Sequence, residues 1–167
     1  MNIKRKQIIL LLILVSTLST IISALLLSNL NLKITKEFKK METTRIKIFN
    51  DEGRILEVEV KIADEPEEWA AGFQNISRSI IEKTRILFIF PSEVKVSFHM
   101  RNVETSLDIA FIRSDGTIVE IMRMDPDPNR LYIPSESFKY AIEAPTGFFE
   151  NMKVTARKSK LIFEKSP

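Results

Sequence analysis

The sequence predicts a mainly β fold with minor α: a small antiparallel sheet of about eight short strands with one short helix, curled into an open barrel or sandwich, and preceded by one transmembrane helix. Three observations predict it. Ile8 to Leu27 carries no charge, and none occurs between Lys6 and Lys33. Beyond residue 44 apolar residues recur in short runs of period two, the signature of strands with one wet face. Gly and Pro punctuate those runs at turn spacing.

The elements follow in order. Twenty helical residues rise about 30 Å, the thickness of a bilayer's hydrocarbon. Residues 1–28 therefore read as a transmembrane helix or signal anchor that meets the lipid bilayer through residues 8–28. A cleaved signal peptide is the alternative, because Lys4, Arg5 and Lys6 precede the apolar run. That run exceeds the usual signal core, and Ser23, Ala24 and Ser28 make no clean cleavage pattern, so an uncleaved anchor is expected. Basic residues flank both ends, with Lys33, Lys36, Lys39 and Lys40 after the helix. The short basic N-terminus favours a single-pass protein of the cell membrane with its soluble domain extracytoplasmic.

Residues 29–43 read as a charged linker and 44–167 as one folded domain. Seven Lys and Arg against two acids give residues 1–43 a charge of +5, leaving −2 for the rest. The basic excess thus adjoins the membrane, and nucleic acid is not an expected partner. With no cysteine in the chain, disulfides, thiolate metal sites and cysteine nucleophiles are excluded.

Ile46 and Ile48, a turn at Asn50 to Gly53, and Leu56, Val58, Val60 and Ile62 make a hairpin. Asp64 is placed to cap a helix, with Pro66 in its first turn, Glu67 at capping-box spacing and Gly72 beyond its end. The acids Asp64, Glu65, Glu67 and Glu68 suit the positive end of that helix better than a cation site. Arg85 to Phe90 is a buried strand closed by Pro91, and Val94 to Met100 alternates. Leu107, Ile109 and Phe111 lead through Asp115-Gly116 into a strand over Ile118–Met124. Residues 125–137 hold Pro126, Pro128 and Pro134 and read as a long loop. Phe138–Ala144 is a strand, Pro145 to Gly147 turns, Phe148–Asn151 is one helical turn, and Leu161 to Phe163 is the last strand. Asn75-Ile76-Ser77 is a glycosylation triplet, relevant outside the cell.

Val96-Ser97-Phe98-His99-Met100-Arg101-Asn102, then Leu107-Asp108-Ile109-Ala110-Phe111, then Gly116 with Ile118-Val119, resemble the central signature of the DUF192 family, also called UPF0127. Ala63-Asp64 through Gly72-Phe73 upstream, and Tyr140 to Pro145 with Gly147-Phe148-Phe149 downstream, resemble its other two segments. The sequence departs from the pattern at His99, where the family has tryptophan, at Arg101 for lysine, at Val103 for threonine and at Ser106 for proline. It also lacks the cysteines that the family often carries in the long loop. The resemblance implies a compact β-rich fold behind an apolar leader, with no established activity. On it, 44–167 is a DUF192-like domain.

The candidate chemistry is sparse. His99 is the single histidine, so no two-histidine metal site exists, and neither a metal nor a cofactor is expected. His99, Arg101, Asn102 and Asp108 form a candidate polar cleft for a small polar ligand. The competing reading makes His99 a space-filling ring and has Asn102 and Asp108 brace the connection 102–106. No nucleophile elbow, phosphate loop or zincin motif occurs. A membrane-tethered module binding a small polar ligand or an envelope protein is the leading expectation. A hydrolase-like enzyme using a cleft around Asp108, with catalytic residues unknown, is one alternative. A structural subunit of a membrane complex is another.

Overall fold

The computed structural model describes residues 3–30 and 32–163, which fall into two compact units, Met1–Lys33 and Ile34–Pro167. The first unit is the helix α1 (Ile3–Leu30). Its stretch Lys6–Leu25 is long and apolar enough to cross a membrane. The hydroxyls inside it bond to their own helix, Ser16 Oγ to the Ile13 carbonyl at 3.1 Å and Thr17 Oγ1 to that of Leu14 at 2.9 Å. Hydroxyls satisfied in this way cost little in an apolar surrounding.

In the second unit the chain runs α2 (Lys36–Lys40), β1 (Thr43–Phe49), β2 (Ile55–Ala63), α3 (Pro66–Ala71), α4 (Arg78–Ile81), β3 (Ile86–Val94), β4 (Phe98–His99), β5 (Leu107–Ile112), β6 (Ile118–Met124), β7 (Leu131–Tyr132), β8 (Phe138–Pro145), α5 (Phe148–Asn151) and β9 (Lys160–Ile162). Seven strands form one sheet in the order β6-β5-β8-β3-β2-β1-β9, and β4 pairs with β7 in a separate ribbon. The expectation of a mainly β curled sheet is met, with these differences in detail. Strands β2 and β3 are parallel, because α3 and α4 carry the chain across between them. The stretch expected as linker, 29–43, supplies α2, whose Phe38 is buried in the core together with Met41. Pro91 does not end β3. It lies where the β3–β8 register shifts between Ile89 and Val94, so its missing N–H breaks no ladder.

The sheet curls until its outer strands meet. Leu161 N donates to the Gly116 carbonyl at 2.8 Å and Ile118 N to that of Ser159 at 3.2 Å, linking the β9 side to the start of β6. Gly116 has φ +83°, and a Cβ there would lie 2.2 Å from the Leu161 carbonyl oxygen, so the seam requires glycine. Two cores result. One, inside the curl, joins Ile48, Val60, Leu87, Ile142 and Phe149. The other, on the opposite face, is covered by α2, α3, α4 and the ribbon and holds Phe38, Phe73, Phe88, Phe111 and Phe138. Strands β5 and β8 lie between both cores, so β5 is buried along its whole length.

Candidate ligand-binding site

On the helix-covered face the chain leaves a cavity of about 340 Å³, lined by residues of α3, β3, the segment Val96 to His99, Val103 and Glu143. Each wall has a local cause. Helix α3 starts on Glu65, one residue after the expected cap, and no side-chain oxygen caps it. Instead Asp64 N donates to Glu68 Oε2 at 3.2 Å, half of a capping box shifted by one residue. Trp69 on this helix donates its Nε1 proton to the Ala63 carbonyl at 2.9 Å, which fixes its ring. Its ring lies 5.0 Å from that of Phe90. Phe98 meets Phe88 edge to face at 5.3 Å and also contacts Phe111 and Phe138. The aromatic side of the cavity is therefore a braced cluster.

The floor is Glu143. In β8 it sits in register with Ile86 of β3 and Ile109 of β5, in the middle of the sheet, 5% exposed. Its Oε2 has no hydrogen-bond partner among the described residues. Burial pushes its carboxyl up to about 8, so it is mostly protonated at neutral pH. Gly72 ends α3 directly above it. The backbone there has φ +45°, and a Cβ would lie 3.5 Å from Glu143 Oε2 and from the Phe88 ring. Glycine thus both permits the turn and keeps the space over the carboxyl open.

Of the four residues expected to form a polar cleft, one lines this cavity. His99 does so from β4, half-buried, with its Nδ1 buried and without a hydrogen-bond partner among the described residues. Burial first, and the neighbouring Arg101 charge second, hold its pKa below the ordinary value, favouring the neutral ring. Arg101 is exposed. Asn102 has φ +56° and its carbonyl accepts from Asn75 N at 2.8 Å, a turn position that asparagine tolerates. Asp108 is on the opposite face of β5 from Leu107 and Ile109. Its Oδ1 accepts from Arg123 Nε at 3.1 Å and its Oδ2 from Gly147 N at 2.6 Å. It braces the turn into α5 rather than the connection 102–106. The expected cleft is thus divided by the sheet, because alternate residues of a strand face opposite ways.

Glu143 is the residue that sequence reasoning missed. The available signal was a lone acid in the apolar strand Tyr140-Ala141-Ile142-Glu143-Ala144, whose burial depends on β8 lying centrally. Among the described residues no group of three or more His, Cys, Asp or Glu is arranged to hold a metal ion.

Comparison with known proteins bears on this fold. The family model DUF192, described as an uncharacterized ACR, matches residues 47–159. A UPF0127 protein of Thermococcus sibiricus is 31% identical over 59% of this chain and 62% of its own length. The chain thus spans less than two thirds of that relative. A UPF0127 protein of Pyrococcus abyssi is 32% identical over 59% of this chain and 80% of its own. A solved structure from Novosphingobium aromaticivorans, of a protein of unknown function, superposes with a TM-score of 0.67 at 15% identity. It covers 78% of this chain and 92% of that one. With more than half its length matched by the family model and the fold shared, the chain belongs to the DUF192 family.

Proposed function

We propose that the folded unit is a non-enzymatic binding module that takes a small ligand into the cavity beneath α3. In this reading α1 tethers the module to the cell membrane, with the module outside the cytoplasm. Glu143 Oε2 carries the ligand-binding reading. A buried polar atom without a partner costs on the order of 1–3 kcal/mol, and this one faces a cavity of about 340 Å³. A ligand group that bonds to it recovers that cost. His99 Nδ1 offers a second unpaired atom in the same space.

The hydrolase-like alternative around Asp108 has less support, since both its oxygens already hold protein donors. Tethering is supported by the length and apolarity of Lys6–Leu25. The outward orientation is supported by the basic residues Lys4, Arg5 and Lys6 ahead of the apolar run.

A thermal-shift screen of the full chain against small polar and amphipathic metabolites tests the binding reading. A true ligand at about 100 times its Kd should add about 2.7 kcal/mol of stability. That gain should be lost in Glu143→Leu. A flat response across the library would remove the proposal.

A further inference from the structure

The furnishing of the cavity narrows its ligand, a step that rests on reading the cavity as a binding site. Glu143 is the one acid among the lining residues, and no lysine or arginine is among them. The rings of Trp69, Phe88, Phe90 and Phe98 line it as well, beside small apolar residues and the polar Gln74 and Ser97. A buried carboxyl without a donor can lower its energy in two ways. It can keep its proton, or it can ionise against a cation brought in beside it. Among the lining residues no lysine or arginine supplies that cation, and His99 favours its neutral form.

Aromatic faces carry negative potential and attract ammonium groups, and a carboxylate adds a full counter-charge. An anion would find no cationic side chain lining the space. A metal ion would find one carboxylate where it needs several oxygen ligands, and no metal-holding cluster exists among the described residues. We propose that the cavity takes a cationic amine on a small apolar body, with Glu143 as its counter-ion and the aromatic rings as its cage.

The proton balance follows. Each ammonium that binds displaces the Glu143 proton to solvent, so the charge within the cavity rises by the cation and falls by the proton. His99 on β4 is the other titratable group lining the space, and the α3 and β3 residues that line it carry none. Outside the lining, Arg101 acts on His99 and is exposed. Amine affinity should therefore climb with pH until Glu143 ionises unaided, near 8.

The test is calorimetric titration of the full chain, held in non-ionic detergent, with three probes of one shape: benzylammonium, benzyl alcohol and benzoate. Benzylammonium should bind about tenfold or more tighter than benzyl alcohol at pH 7, with benzoate weakest. Titration in two buffers of different ionisation enthalpy should count close to one proton released per benzylammonium. Glu143→Gln should lose about tenfold for benzylammonium and little for benzyl alcohol. Equal binding of the three probes, or unchanged benzylammonium affinity in the glutamine variant, overturns the amine assignment and leaves the cavity a ligand site. Failure of the folded protein to bind any of them counts against both readings. Should the variant not fold, the probe comparison across pH 6 to 8 on the native chain decides alone.

Discussion

Glu143 and His99 leave opposite marks on stability. The folded chain holds the Glu143 proton up to about pH 8, while the unfolded chain releases it near the ordinary value of 4.5. Between those values the native state binds the extra proton, so stability falls as pH rises, by on the order of 1 kcal/mol per pH unit. His99, with its pKa lowered, acts in reverse: below its ordinary 6.5 the unfolded state takes up the proton, and stability is lost as pH falls. Denaturant titrations at pH 5, 7 and 9 should show Glu143→Gln flattening the loss above pH 5. The variant should exceed the native chain in stability at pH 9. An unchanged slope would mean that this carboxyl is not buried.

The same residue shows where sequence reading stops. The alternation that places Glu143 on the face of Ala141 is visible in the sequence. That this face is buried is not, since it depends on helices and a ribbon drawn from elsewhere in the chain. Asp108 fails for the related reason that a strand's two faces cannot be told apart until both are covered. Gly72 reads as a helix stop in the sequence, and in the fold it also guards the cavity. Gly72→Ala should cost on the order of 1–3 kcal/mol, because φ +45° strains any side chain. It should also weaken any ligand of the cavity; thermal melts and binding titrations on one preparation check both.

Elements with strong local signals were legible. The β1–β2 hairpin, α3 up to Gly72, and the β5–β6 hairpin stand where periodicity and turn chemistry put them. Elements that depend on distant partners were not. Helix α4 is four residues long and has no period to detect, and α2 reads as a lysine-rich polar stretch around one anchoring Phe38. Strand β4 shrinks to Phe98–His99 because its partner β7 offers two residues in a proline-rich loop. Asn50, a turn residue by its sequence setting, ties the first hairpin to α5. Its Oδ1 accepts from Glu52 N at 3.1 Å and Arg54 N at 2.9 Å, and its Nδ2 donates to the Met152 carbonyl at 3.0 Å. Asn50→Ala should lower stability by about 2–3 kcal/mol, since three bonds are lost in a buried place. The denaturant midpoint measures it.

Across the whole molecule, two units with separate physics share one chain. The Ile34–Pro167 unit has its own cores, while α1 exposes every large apolar side chain from Ile8 to Val15. Exposed aliphatic surface of that extent is stable beside lipid tails rather than water. Full-length protein should sediment with membranes at high speed, and a chain lacking residues 1–28 should stay in the supernatant. Full-length protein found soluble without detergent would contradict the tether.

The pairing of β1 with β9, at the far end of the strand order, also sets an order of events during synthesis. Strand β1 is finished more than a hundred residues before β9 arrives to pair Lys47 with Ile162. Until the ribosome has released that segment, the nascent sheet keeps a bare flank on which another chain could add a strand. The charged Arg45 and Lys47 on that flank are then its guard against sticking to a neighbouring copy.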